Sequence, residues 1–501
     1  MFSPDAILLN WLLALPFFTA LGAAVFPRFA LRPHSEAEAE SLPRAPFSLG
    51  ALACFMGALI AASLLPAALR GSSAAADYWW TSGLYQFRFR ADGLAAPVVC
   101  AIYLVGFLVN LHYYSLPTPT APHPRAALLL LSIGAASAAV LSADLVAIMF
   151  FLQLLLVSVW LLASVDAPGE ADRMLGLTFL GGLFILGGTL LIWKQVAGTA
   201  VSGVSLALFG AAPHTLRLVG LVTLLGVTPL VAAVPGHFWL PRLARAAPRA
   251  AFACSVLLTL VGFATVLRLL PGVLVLPLVP GFARLSLALG LVSLLSGAVA
   301  AWIARSLREV AVWLTVAQAG QFLLALSLAA SPAEYPAGLA LQAATVHALT
   351  APLALVALWS AMSTVLSRTG TEALPGLSGL LGTMPFAGIA LLAGGLSLSG
   401  VPPLPGFWGQ RLLVSAMIAD HRRLLVITLV LADLLILAVV VGAFRRAFLR
   451  GEPPPPVAPA RRWESVQLLL AAMIVALSGV LLGPLGGWTE SIVKNVLTLS
   501  P

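Results

Sequence analysis

The chain has 501 residues, 60% of them hydrophobic and only 9% charged. A soluble domain carries about 25% charged residues, so a soluble fold is excluded and a polytopic membrane protein is implied. The net charge of +9 does not point to nucleic acid, because Lys and Arg sit mostly in short loops, where they set topology.

The apolar runs are near-continuous and about twenty residues long, which suits helices crossing a ~30 Å hydrocarbon core and not the short alternating segments of a membrane barrel. In chain order the predicted spans are 6–26, 47–66 and 94–115, then 126–142, 145–165, 174–194 and 215–234. The others are 250–271, 282–304, 309–330, 338–362, a broken 384–418, 424–446 and 466–484. The fold class is therefore all-α, with about 14 transmembrane helices. MFSPDAILLNWLLALPFF lacks the basic start of a signal peptide and reads as the first span. Alternation from Tyr85 to Arg90 predicts a short hairpin outside the membrane. The tail GGWTESIVKNVLTL reads as an interfacial amphipathic segment, and PPPPVAP before the last span as a stiff spacer.

Sixteen of the 27 Lys and Arg residues fall on the side opposite both termini, ten on the other, and Arg411 lies within a span. The bias places both termini outside. Cys54, Cys100 and Cys254 all lie in apolar runs, with no metal spacing or paired framework, and read as small buried residues. No nucleotide loop, CxxC pair or Ser/His/Asp pattern occurs, so no cofactor is expected in this chain.

Two apolar segments are cut by prolines and glycines. One is VAAVPGHFWLPRL, Val231 to Leu243, broken at Pro235 and Gly236. The other is LSLSGVPPLPGFWGQRLLV, Leu396 to Val414, broken at Pro402, Pro403, Pro405 and Gly406. Proline removes a backbone donor, and such breaks are tolerated in lipid only where the backbone is buried in protein or lines a cavity. Paired breaks in two halves of a chain point to inverted repeats with a site at the repeat interface. The predicted organisation is an N-terminal segment 1–125, repeats 126–271 and 282–446 of five helices each, and a closing segment 447–501.

Four stretches carry a resemblance. AVPGHFWLP resembles the PFHxWLP-type signature of the antiporter-like subunits of respiratory complex I and of Mrp-type sodium/proton antiporters. GVPPLPGFWGQ is similar to their G-[IV]-PP-x-x-GFxxK/E element, LREVAVWLTVAQAGQFLLAL to their LKRLLAYSSIxQxGYxxLAL helix, and VHALTAPLALVAL to their HAxxKAxLFL helix. The four occur in the family's order within residues 94–446.

The resemblance implies a buried Glu–Lys proton relay, and this sequence departs from it at each position. The glutamate of the fifth helix is matched by Gln153, and the lysine seven residues before His237 by Leu230. The lysine four residues after His347 is matched by Ala351, and the Lys or Glu of the second broken helix by Gln410, with Arg411 beside it. A histidine common in the eighth helix is matched by Cys254. Gln, Leu and Ala do not titrate, and Arg titrates too high to relay protons. The chain's two lysines, Lys194 and Lys494, lie at span ends.

The remaining candidates for an ion path are His237, His347 and Asp433, with Gln153 and Gln410 able to hold water without titrating and Arg411 beside Gln410. Against an ion path, the histidines read as neutral hydrogen-bonded scaffolding and Asp433 as half of an ion pair with an arginine or a partner. Asp144 reads as a helix cap and Arg268 as a side chain snorkelling to the interface. The resemblance implies a membrane-arm subunit of a complex I-like assembly (an NADH:quinone oxidoreductase or a relative) in a bacterial-type inner membrane, with an impaired or absent relay. Its partners would be other membrane and soluble subunits. The alternatives are a subunit of a cation/proton antiporter, the membrane half of a two-component inorganic-carbon uptake system whose partner is a large zinc protein, or an assembly scaffold.

Overall fold

An apolar run in lipid has no water for its backbone, so each run closes its own hydrogen bonds as a helix. The computed structural model describes residues 4–25, 44–80, 85–116, 121–193, 201, 212–269, 281–449, 451 and 459–482. Lys194, Lys494, the tail 486–499 and most of the PPPPVAP stretch lie outside the described residues. The N-terminal segment holds α1 (Pro4–Val25), α2 (Ala45–Leu69), strands β1 (Ala74–Trp80) and β2 (Tyr85–Ala91), and α3 (Ala95–Ser115). Next come α4 (Pro122–Leu141), α5 (Leu145–Ser164), α6 (Pro168–Trp193), α7 (Pro213–Leu230), α8 (Trp239–Ala246) and α9 (Pro248–Leu269). A second set contains α10 (Phe282–Trp302), α11 (Leu307–Ala329), α12 (Glu334–Thr369), α13 (Pro385–Leu398), α14 (Pro405–Ala419) and α15 (Arg423–Phe444). A π turn, Arg445–Leu449, extends α15, and α16 (Arg462–Leu482) follows.

Thirteen of these helices are long and apolar enough to cross a membrane, and the α13–α14 pair occupies the predicted broken span. Helices apolar all round belong in the middle. The most apolar window of α9 is wholly buried, and those of α11 and α12 are 94% buried, so these three form the centre. The window of α15 is 28% buried, which puts this helix at the rim. At 36 residues, α12 runs well past the predicted 338–362.

The hairpin pairs antiparallel, from Ala74 opposite Ala91 to Trp80 opposite Tyr85. Arg90 Nη1 binds Asp77 Oδ1 at 2.5 Å and holds that carboxyl below the usual carboxylate range. Phe89 bridges to Ser142, and Ala143 N–H donates to Arg88 O at 2.7 Å, so the hairpin docks on the α4–α5 link. Asp144 caps α5 as predicted, accepting from Val146 N at 2.9 Å and Ala147 N at 3.2 Å. Arg268 does not snorkel. It is buried, pairs with Asp92 and donates from Nε to Ser142 O at 3.0 Å. The docked hairpin sets that carboxylate over the end of α9, which replaces water as the partner.

Candidate functional site

Both predicted breaks are present, and with α7–α8 and α13–α14 each counted as one broken helix, each is the fourth of five in its set. At each, a glycine lets the second half of the helix fold back against the first. A Cβ on Gly236 would overlap the backbone of Pro229, and one on Gly406 would overlap the carbonyl of Ser397. No L side chain fits at either place without moving backbone.

The second break gathers a polar cluster. The end of α13 leaves carbonyl groups without intrahelical partners, and in lipid these need donors. Leu398 O accepts from Gln318 Nε2 and from Gln410 Nε2, each at 3.2 Å. Gln410 Nε2 also reaches Gln321 Oε1 and Asp433 Oδ1, both at 3.4 Å, and Gln321 Nε2 donates to Asp433 Oδ1 at 2.7 Å. His347 Nε2 lies 2.9 Å from the main-chain carbonyl of Gln318. A carbonyl only accepts, so this nitrogen carries the proton in the neutral ring. His347, Gln410 and Asp433, singled out from the sequence, thus meet in one cluster through Gln318 and Gln321 of α11.

Asp433 is held by amides. It makes no ion pair among the described residues, so the ion-pair reading with a neighbouring arginine is corrected. The adjacent arginine points elsewhere: Arg411 is exposed and lies over the Trp408 ring at 5.6 Å, outside the cluster. The carboxyl of Asp433 can exchange a proton, whereas the surrounding amides hydrogen-bond without titrating.

The first break is organised differently. Val234 N–H donates to Ser293 Oγ at 3.0 Å, and Trp239 Nε1 to Pro229 O at 2.8 Å, so its loose backbone groups are met by a side chain and a ring. His237 packs between Phe238 and Trp313, and its Nδ1 is buried without a hydrogen-bond partner. It is not joined to the His347 cluster by any hydrogen bond among the described residues.

Gln153, Leu230, Ala351 and Gln410, the positions the resemblance matches to the family's relay, carry no side chain that titrates. Leu230 and Ala351 are buried. Both amide atoms of Gln153 are buried without a partner, against Gly182. Cys254 donates to Val159 O at 3.6 Å in the fully buried α9. No group of three or more His, Cys, Asp or Glu among the described residues is placed to hold a metal ion.

A second buried polar cluster was not foreseen. His112 of α3 places Nε2 2.9 Å from Ser363 Oγ and Nδ1 3.4 Å from Gln467 Oε1. Gln467 Nε2 donates to Ser360 Oγ at 3.0 Å, and one turn earlier Glu464 pairs with Arg368. This side chain set joins α3, α12 and α16. Farther along α16, the carbonyl of Gly479 accepts from Trp408 Nε1 at 2.8 Å, and Gly479 lies against Pro403 of the second break. Gln467→Leu would strip partners from His112 and Ser360 together. It is expected to cost about 1–3 kcal/mol, read as a lower denaturation midpoint in detergent; an unchanged midpoint would show that the bonds are dispensable.

The family model described as NADH:quinone oxidoreductase/Mrp antiporter, TM, matches residues 142–435. Subunit 2 of an NAD(P)H-quinone oxidoreductase from the organellar chromatophore of Paulinella chromatophora is 27% identical over 373 residues, 71% of each chain. A Na(+)/H(+) antiporter subunit from Alkalihalophilus pseudofirmus is 27% identical over 362 residues, which is 68% of this chain but only 44% of that protein. The fold is shared with a chain of the Mrp complex from a Dietzia species, with a TM-score of 0.82, 18% identity and coverage of 99% and 98%. With more than half of its length matched, and both helix breaks inside that match, this chain belongs to the NADH:quinone oxidoreductase/Mrp antiporter family of membrane subunits.

Proposed function

We propose that this chain fills a structural position in the membrane arm of a complex I-like, ion-translocating assembly, with little or no proton conduction of its own. The observation that carries this is the chemistry of the relay positions: Gln153, Leu230, Ala351 and Gln410 hold two amides and two apolar groups. A relay needs groups that gain and lose protons near the working pH. Relatives named as quinone oxidoreductase and antiporter subunits support a multi-subunit setting. Partners are then other membrane and soluble subunits. The arginine-rich loops face the cytoplasm, which puts both termini outside a bacterial-type inner membrane. The matching broken fourth helices support reading 126–271 and 282–446 as inverted repeats.

The Asp433 cluster favours a second reading, in which the ion path is moved to Asp433 and His347. The two readings separate on one measurement. Asp433→Asn and His347→Gln are introduced into the intact assembly, and proton uptake is followed in sealed vesicles. A structural role leaves the rate within about twofold, whereas loss of an acid–base group costs about a hundredfold or more. The larger loss would overturn the first reading in favour of the second.

A further inference from the structure

A cavity of about 420 Å³ opens on the arginine-rich face, where α10 meets the loop before α13 and the π turn after α15. Arg305, Leu377, Ser378, Pro375 and Arg446 line it. Neither the Arg305 nor the Arg446 guanidinium has an ion pair or a hydrogen bond among the described residues. Among the described residues, Glu372 pairs with Arg308, and Glu309 Oε2 accepts from Arg305 N–H at 2.9 Å in the cap of α11.

The walls are held by backbone pairing. Leu374 N–H donates to Arg305 O at 2.8 Å and Leu307 N–H to Glu372 O at 3.0 Å. On the other side, Leu380 N–H donates to Ala447 O at 3.2 Å and Leu381 N–H to Phe448 O at 3.1 Å. The two arginines are thus carried on segments tied to one loop. Beside the lining residues in sequence, apolar side chains are exposed on this chain: Trp302 is 57% exposed, Ile303 69% and Leu449 54%. An exposed Trp at a helix end marks the depth of lipid headgroups.

We propose that this cavity binds the phosphate headgroup of an anionic phospholipid, with Arg305 and Arg446 on the phosphate and the acyl chains along Ile303 and Leu449. Two unpaired guanidinium groups suit a phosphate, for which Arg supplies several directed donors. The volume lies in the range of small-ligand sites. A basic pocket between helices at the membrane surface suits a lipid headgroup, and the exposed Ile303 and Leu449, next to lining residues in sequence, offer acyl chains a surface that a soluble phosphate would not use.

To test this, the full-length chain is reconstituted in phosphatidylcholine vesicles containing a minor fraction of phosphatidylglycerol. It is then re-extracted in mild detergent, and the retained phosphatidylglycerol is counted by mass spectrometry. Arg305→Gln/Arg446→Gln is expected to retain it about 30-fold less well, from the usual contribution of each surface cation. Arg305→Lys/Arg446→Lys should keep part of the enrichment, and Arg423→Gln on the opposite face all of it. Pro375 is exposed and lines the cavity. Pro375→Glu puts a carboxylate there with both arginines intact, so it should reproduce the loss even if the double Gln variant fails to fold. In parallel, inorganic phosphate binding to the detergent-solubilised chain is measured by dialysis. Arginine-dependent binding of phosphate without arginine-dependent lipid retention would overturn the lipid assignment. Equal retention by the wild-type chain, the double Gln variant and Pro375→Glu would overturn the site.

Discussion

Arg368→Leu is expected to destabilise the protein by about 3–5 kcal/mol, the usual cost of removing one partner from a buried ion pair. Arg368 Nε donates to Glu464 Oε2 at 2.8 Å and Nη2 donates to Oε1, and the Glu464 side chain is wholly buried. Without the arginine, Glu464 keeps the Arg461 N–H at 2.9 Å but loses its bidentate partner. The decisive comparison is the double variant Arg368→Leu/Glu464→Leu. Replacing both charges with apolar groups removes the uncompensated carboxylate, so most of the lost stability should return. Denaturation midpoints in nanodiscs read both. If the double variant is as unstable as the single one, packing rather than charge holds this end of α12 to α16.

Gly406→Ala is expected to cost about 3 kcal/mol, the upper end of the usual overpacking penalty. The added methyl would overlap the Ser397 carbonyl, a backbone group that cannot rotate away. The α13–α14 turn would have to open, and Leu398 O would part from the Gln318 and Gln410 amides. The polar cluster should therefore suffer with the fold, and the temperature at which the reconstituted assembly loses monodispersity should drop. Gly442→Ala serves as a control, because a methyl there meets nothing within 4 Å. Equal stability of the two variants would show that the break tolerates a wider turn.

The spans were legible because a membrane helix writes itself locally: twenty apolar residues suffice. The breaks were legible because proline and glycine act within a few residues of their own position. Asp144 was read correctly as a cap for the same reason, since its donors are the amides of Val146 and Ala147. The partners were not legible, because they come from far away in sequence. Gln318 and the carbonyl of Leu398 are 80 residues apart, Arg268 and Asp92 are 176, and His112 and Gln467 are 355. Sequence position alone made Arg268 a snorkelling side chain and offered Asp433 a neighbouring arginine, and the structure shows neither among the described residues. Gln318 and Gln321 had a signal that went unused: two amides three residues apart in an apolar helix fall on one face.

Glu464 and Gln467 of α16 supply the partners of Arg368, His112 and Ser360, and Gly479 closes over the second break. Until α16 is in place, Arg368 lacks its carboxylate, His112 keeps Ser363 but lacks the Gln467 amide, and Ser360 lacks its donor. The nascent bundle therefore passes through a stage with an open polar flank, which membrane proteases and insertases that survey unassembled helices can recognise. Insertion of α16 ends that exposure in one step.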